Sequence, residues 1–217
     1  MAAAAVDAGG ADKALAEASS HFCSAEKQFR YPLEYGGQRT PTAQRTVTGA
    51  GAAVIARADE GVKITHGTVG RITDYGVTDM ANMGAAMAPS AARTIADFMN
   101  DTGSRPEDFD MIITGDLGSV GSTLLADIMR EEYGYDISRV HADCGKLIFD
   151  AETQDVHAGG SGCGCSASVV CSYILPKMHK NELRKVLFAG TGALMSPLTA
   201  LQGDTIPAVT HAVMLCS

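Results

Sequence analysis

Short apolar segments bounded by glycine, proline and polar residues alternate along the chain with segments whose apolar residues recur at helical spacing. Short apolar runs and strict alternation predict strands, and recurrence every three or four residues predicts helices. The predicted helices are 1–10, 90–103, 119–132 and 166–178. The predicted strands are 15–20, 46–58, 62–68, 109–114, 139–142, 146–150, 185–190 and 208–216. Strands that alternate with helices favour an α/β sandwich.

The order of elements repeats along the chain. Residues 1–57 are predicted to run helix, strand, long loop, apolar strand, and residues 163–216 run in the same order. This repetition indicates a duplicated unit. If the unit is duplicated, we expect the first copy to lack its front part, and we expect an exposed strand edge there to drive self-association into a homo-oligomer.

The charge balance excludes one class of partner. Seventeen Lys and Arg stand against 25 Asp and Glu, for a net charge of −8. Nucleic-acid binding requires clustered positive charge, so we expect no nucleic-acid partner. No apolar stretch approaches the roughly 18 residues of a membrane-spanning helix. Because the first residues lack the basic and apolar regions of a signal peptide, we expect a protein that acts on the cytoplasmic side.

Six cysteines allow two interpretations. Cys144, Cys163, Cys165 and Cys171 could together hold a metal, but zinc ligands usually come as two paired knuckles separated by a loop. These thiols instead open an apolar helical segment. We therefore expect no metal and no disulfide, and we expect Cys163, Cys165 and Cys171 to be buried where a larger side chain would not fit.

Three glycine-rich segments, 115–121, 158–165 and 190–193, each follow an apolar strand and are predicted to be turns. Such turns can present backbone N–H groups, or the start of a helix, to an anion. None has the spacing of a phosphate loop or of a dinucleotide-binding fingerprint. Tight packing between layers explains each one equally well, whereas convergence of all three at one sheet edge would favour a pocket.

Two titratable residues are candidates for a functional role. Asp116 follows strand 109–114 in a tight turn, where a functional carboxylate and an ordinary turn residue are equal alternatives. His21 lies at the start of a polar segment that extends to residue 45, and loops of this length are more often functional than not. His211, inside an apolar strand, is expected to be a core residue.

Six stretches resemble, in order, the stage V sporulation protein AD family. They are SSHFCSAEKQFRYPLEYGGQRTPTAQ (19–44), TVTGAGAAV (46–54), NMGAAMAP (82–89), TGDLGSVG (114–121), AGGSGCGCSA (158–167) and VLFAGTGALMSP (186–197). The resemblance implies a thiolase-like layered αβαβα sandwich of two similar halves. Residues 1–58, with the long loop 19–45, would be the end of the N-terminal half, and residues 59–217 would be a complete C-terminal half.

The resemblance also implies a site without enzymatic groups. The cysteine nucleophile of thiolase-fold enzymes would precede the helix that begins at Met1. Their histidine would fall on Gly115 or Asp116, and their Asn or His on Ser161 or Gly162, so neither position offers an imidazole base or an amide oxyanion donor. We therefore expect no catalysis. The alternative is a fragment of an acyl-transferring enzyme of the thiolase or ketoacyl-synthase type.

The function implied by the resemblance is binding of dipicolinic acid (pyridine-2,6-dicarboxylate) during its uptake into the developing bacterial spore. Membrane-embedded sporulation proteins would be the partners, and the location would be peripheral to the spore inner membrane. No cofactor and no metal are expected. A purely structural interaction subunit is a further alternative. The expected ligand-binding residues are His21, Arg30, Arg39, Asp116, Gly160, Ser161, Gly162, Cys163 and Gly190. Arg45 stands where the family usually has Trp.

Overall fold

The computed structural model describes residues 1–22 and 40–217. Its strands are β1 (Lys13–Ser20), β2 (Arg45–Thr46), β3 (Gly49–Ala56), β4 (Lys63–Thr68), β5 (Met111–Thr114), β6 (His141–Asp143), β7 (Gly160–Ser161), β8 (Lys185–Ala193) and β9 (Ala208–Cys216). Its helices are α1 (Ala2–Asp7), α2 (Met83–Thr102), α3 (Gly118–Glu132), α4 (Cys144–Leu147), α5 (Cys163–Val169), α6 (Leu175–His179) and α7 (Pro197–Gln202). A π-helical segment, Val170–Ile174, joins α5 to α6 without a break.

A five-stranded sheet in the order β4-β9-β8-β5-β6 forms the centre of the fold. Strand β5 runs parallel to β6 and β8, whereas β9 runs antiparallel to both of its neighbours. Ile112 belongs to the apolar cluster on one face of this sheet and Ile113 to the cluster on the other, and both are fully buried. Burial on both faces explains why these strands are apolar at successive positions.

Helices α2 and α3 pack on one face of the sheet. Helix α2 begins after Asn82, whose side chain accepts from the backbone N–H of Ala85, and ends at Gly103 in the left-handed region (φ 67°). The predicted start at Ser90 is wrong, because Ser90 and Pro89 are both buried inside the helix. An interior proline costs a helix about 3 kcal/mol. Burial of the surrounding Ala and Met side chains offsets that cost.

The continuous helix α5–α6 packs on the opposite face through Cys165, Val169, Ile174 and Met178. Its other side lies against β1 and β3. Gly51 permits this approach, because a Cβ atom there would meet the backbone carbonyl of Ala167. The described residues thus form successive layers of helix, sheet, helix and sheet.

The repetition predicted from the sequence is present in the structure. Strand β1 pairs with β3 antiparallel from Lys13↔Ala56 to Ser20↔Gly49, and α1 packs beside this pair. Strand β8 pairs with β9 antiparallel in the same manner, following helix α5–α6. Each unit therefore consists of a helix, a strand, a connection and an antiparallel strand.

Two strand predictions are wrong. The segment 146–150 is not a strand, because Asp143 caps helix α4 by accepting from the backbone N–H of Lys146. The predicted strand 46–58 is two strands, since β2 pairs parallel with β7 before β3 turns to pair with β1.

Within the described residues, no helix combines the length and the apolar character needed to cross a membrane.

Candidate functional site

The segments 115–121 and 158–165 meet the end of β8 beside the start of helix α5. Between them lies an open cavity of about 260 Å³, which we call the turn pocket. The segment 190–193 is not a turn as predicted, because β8 stays paired with β9 as far as Ala193↔Ala208. The polar wall of the turn pocket consists of Asp116, Ser161, Gly162, Cys163, Ser166 and Thr191, and two methionines of α2 supply apolar surface.

Asp116 joins these three segments to one another. One oxygen of its carboxylate accepts from the Ser161 hydroxyl at 2.7 Å and from the Gly162 N–H at 2.9 Å. The other oxygen accepts from the Thr191 hydroxyl at 2.8 Å. These partners lie far away along the chain, so Asp116 is both a structural link and part of the pocket wall. The structure thus gives Asp116 a linking role, and a functional role for its carboxylate stays a prediction.

Backbone conformation brings Ser161 and Cys163 to the pocket. Gly162, the N-cap of α5, has φ 103° and ψ 160°, a conformation that is essentially restricted to glycine. It turns the chain from β7 directly into the helix. Cys163 is therefore the first helical residue, and it is exposed, so the prediction that it would be buried is wrong. Cys165 is buried as predicted, whereas Cys171 is only half-buried.

The predicted site residues do not all lie together. His21 lines a second cavity of about 480 Å³, which we call the Arg45 groove; its wall also includes Phe22, Arg45, Ile148 and Phe149, whereas Gly160 lines neither cavity. A Cβ atom on Gly160 would meet the side chains of Ile148 and Phe149. Gly190 lies inside β8 and lines neither cavity.

Arg30 and Arg39, which we expected to supply positive charge, lie outside the described residues. Among the described residues that line the turn pocket, none is a lysine or an arginine. The positive potential there comes from the N-terminus of helix α5, since the Gly162 N–H already donates to Asp116.

A second buried carboxylate holds the turn that carries Asp116. One oxygen of Asp143 accepts from the Thr114 hydroxyl at 2.7 Å and the Leu117 N–H at 2.9 Å, and the other accepts from the Gly118 N–H at 2.9 Å. Burial raises the pKa of Asp143 to about 6, although these hydrogen bonds oppose the rise. Burial lowers the pKa of His141, which contacts the same Thr114 hydroxyl, to about 4.

Sequence reasoning missed Asp143 and Gln44. The sequence pattern puts Asp143 between two predicted strands, a position that does not indicate a helix cap. The Gln44 side chain donates to the carbonyls of Asp116 and Gly160 at 2.8 and 2.9 Å, and so fixes two of the converging segments. One local signal points to Asp143: it directly precedes Cys144 and Gly145, and Asp is a preferred residue at a helix N-cap.

Solved structures of condensing enzymes have a similar arrangement of layers. The 3-oxoacyl-[acyl-carrier-protein] synthase III from Aquifex aeolicus VF5 is similar over 100% of this chain and 61% of its own, with 11% identity and a TM-score of 0.52. The β-ketoacyl-[acyl-carrier-protein] synthase III from Thermus thermophilus gives 17% identity and a TM-score of 0.51 over 62% of its chain. These similarities show the fold alone, and they confirm the thiolase-like layered α/β architecture.

The sequence comparisons are more specific. The family model for Stage V sporulation protein AD (SpoVAD) matches residues 1–216. Stage V sporulation protein AD of Bacillus subtilis strain 168 is 48% identical over 214 residues, which are 99% of this chain and 63% of the relative. The chain thus spans less than two thirds of the length of that relative. On these matches, the chain belongs to the stage V sporulation protein AD family.

Proposed function

We propose that this chain binds dipicolinic acid in the turn pocket, without catalysis, and takes part in the uptake of that compound into the developing spore. The observation that supports the proposal is the convergence of three chain segments around Asp116, beside the start of helix α5. The convergence leaves a cavity bounded by glycine backbone and small polar side chains. A planar ligand can approach such backbone closely, because glycine has no Cβ atom.

The size of the turn pocket favours a small ligand. Its volume of about 260 Å³ is close to the lower end of the range for small-molecule sites, which begins at roughly 300 Å³. The methionines Met83 and Met87 give it an apolar wall, and the hydroxyls of Ser166 and Thr191 give it a polar one. A single aromatic ring with polar substituents matches this combination.

The proposed ligand is a dianion, so the proposal requires positive groups near the turn pocket. A dicarboxylate next to Asp116 is repelled unless positive groups offset the carboxylate. The Asp116 oxygens already accept from Ser161, Gly162 and Thr191, which disperses part of their charge. The N-terminus of α5 contributes a further positive potential. Arg30 and Arg39 remain our proposed source of full positive charge.

The same positions argue against acyl transfer. Acyl transfer of the thiolase type needs groups that stabilise a developing oxyanion, and loss of one such donor typically lowers the rate by ~10²–10³. Asp116 and Ser161 supply a carboxylate and a hydroxyl that are bonded to each other at 2.7 Å. Covalent labelling of the protein by a reactive acyl-CoA analogue would favour the enzymatic alternative instead.

The proposed cellular context follows from family membership. We propose that the protein works at the cytoplasmic side of the spore inner membrane, with membrane-embedded sporulation proteins as partners. Self-association is also proposed, because Leu15 and Val54 expose 60% and 67% of their surface on paired strands. Both proposals concern the protein in its assembly and are independent of the ligand site.

Isothermal titration with pyridine-2,6-dicarboxylate tests the function. Ser166→Leu places bulk in the turn pocket from a helical position that tolerates Leu, so we expect affinity to fall at least about ten-fold. Ser172→Leu is the matched control, because Ser172 is exposed later in the same continuous helix and lines no part of this pocket. Equal affinity of both variants, or no binding by the unmodified protein, would contradict the proposal.

A further inference from the structure

Arg45 makes no ion pair with a described residue, in contrast to three other described arginines. Arg71 and Arg93 both contact Asp97, and Arg130 contacts Asp127. Among residues 1–22 and 40–217, no carboxylate lies within ion-pair distance of Arg45. In a protein of net charge −8, a guanidinium that pairs with no described carboxylate is a position where an external anion can bind.

The backbone of Arg45 is fixed, so its side chain starts from a defined place. Its N–H donates to the Gly159 carbonyl at 2.8 Å, and strand β2 pairs Arg45 with Gly160 of β7. The guanidinium lies over the Phe22 ring, 4.4 Å from the ring centroid. Stacking on an aromatic face restricts the guanidinium while leaving its edge N–H groups able to donate.

The surface around Arg45 combines aromatic and apolar side chains with His21, Thr48 and Ser168. The Arg45 groove contains Phe22 and Phe149 as well as Ile148 and Val47, within a cavity of about 480 Å³. Ring faces and methyl groups favour a ligand with a flat apolar ring, and the guanidinium favours a carboxylate on that ring. The turn pocket offers the opposite combination, since its wall carries the Asp116 carboxylate.

We propose that the Arg45 groove is a second binding site, which takes a planar aromatic carboxylate with its carboxylate on Arg45 and its ring against the aromatic wall. The site is separate from the turn pocket and does not need the proposed function to be correct. If dipicolinic acid is the ligand of this protein, the groove supplies a cation–carboxylate contact that the described lining of the turn pocket lacks.

Titration of the full protein with two compounds tests the site: benzoate, a minimal aromatic carboxylate, and pyridine-2,6-dicarboxylate. In Arg45→Gln we expect benzoate affinity to fall at least about ten-fold, because a charge-assisted contact is lost. Arg45→Lys keeps the charge without the planar fork and should lose less. Arg139→Gln, which removes an exposed positive charge outside both cavities, is the control for net charge.

The outcomes separate this inference from the proposed function. Loss of benzoate binding in Arg45→Gln but not in Ser166→Leu supports the groove, whether or not pyridine-2,6-dicarboxylate binds. Loss of dicarboxylate binding in Ser166→Leu, with benzoate binding unchanged in Arg45→Gln, supports the turn pocket and overturns the groove. The groove is also overturned if the benzoate affinities of Arg45→Gln and Arg139→Gln differ by less than about two-fold, or if the unmodified protein does not bind benzoate.

Discussion

The two repeated units of this protein share one order of elements but differ in how their strands are buried. Leu187 of β8 is fully buried, whereas Leu15, at the corresponding third position of β1, exposes 60% of its surface. Strands β8 and β9 have neighbours on both sides and helices on both faces. Within the described residues, β1 and β3 pair only with each other. The same order of elements is therefore packed on more sides in the second unit than in the first, and we expect it to be more stable there.

The difference also explains where the candidate site lies. The turn pocket uses the end of β8 and the start of α5, which belong to the unit whose strands are buried, and it adds the turn after β5. Elements that are packed on several sides hold polar groups at fixed distances. The exposed pair β1 and β3 contributes support from behind, where Ser20 accepts from the Gly164 N–H and donates to the Val47 carbonyl.

The largest expected effect compares the two leucines. Leu187→Ala leaves a cavity between the helical layers, so we expect the free energy of unfolding to fall by ~2–5 kcal/mol. Leu15→Ala removes a largely exposed side chain, so we expect a change within about 0.5 kcal/mol. Urea unfolding of both variants measures the difference. Equal losses would show that β1 is buried as deeply as β8 in solution.

The second effect concerns two titratable groups at the edge of the larger sheet, the buried Asp143 and the half-buried His141. The pKa of His141 is about 4 in the folded protein, below its usual 6.5, so stability falls as pH drops from about 6.5 to about 4. The pKa of Asp143 is raised to about 6, so its contribution has the opposite sign: it is present at low pH and is lost as pH rises through 6. The two trends oppose each other in the native protein.

His141→Gln removes one of these opposing trends. Relative to the native protein, the variant should gain stability as pH falls from about 6.5 to about 4, by up to roughly 3 kcal/mol at 1.36 kcal/mol for each pKa unit. Urea unfolding at several pH values across this range measures the gain. His179→Gln, at an exposed histidine, is the control. A pH-independent difference between His141→Gln and the native protein would show that His141 titrates normally.

Two strand glycines test the contact between the units. A Cβ atom on Gly51 of β3 would meet the Ala167 backbone, whereas on Gly192 of β8 its nearest neighbour would be 3.6 Å away. We expect Gly51→Ala to cost ~1–3 kcal/mol through overpacking and Gly192→Ala to cost clearly less. Thermal melts compare them. If Gly192→Ala were the more damaging, the close packing of β3 on α5 would be incorrect.

The smallest effect concerns self-association. Leu15 and Val54 are directly paired across the exposed ladder. A charge at this position should oppose burial against a second copy, so Val54→Lys should weaken association by about ten-fold, or ~1.4 kcal/mol. Sedimentation velocity over a range of concentrations gives the dissociation constants. Unchanged association in Val54→Lys would place any interface on another surface.

The sequence predicts several strands of the five-stranded sheet better than it predicts the site. Alternating or continuous apolar residues located β4, β5 and β9 within two residues of their observed ends. The site depends on hydrogen bonds between distant segments: Asp116 bonds to Ser161 and Thr191, 45 and 75 residues away. No local pattern encodes such partners. The role of Asp143 is hidden from local patterns in the same way, since three of its partners precede it by 25 to 29 residues.

The turn pocket as a dicarboxylate site is tested most directly by the reactivity of Cys163. This thiol is exposed in the pocket wall, whereas Cys144 and Cys165 are buried and Cys216 is half-buried outside the pocket. Mass spectrometry can follow iodoacetamide alkylation of each thiol with and without pyridine-2,6-dicarboxylate, with Cys216 as internal reference. We expect saturating ligand to slow alkylation of Cys163 and to leave the rate of Cys216 unchanged. An unchanged Cys163 rate under ligand saturation would contradict binding in the turn pocket.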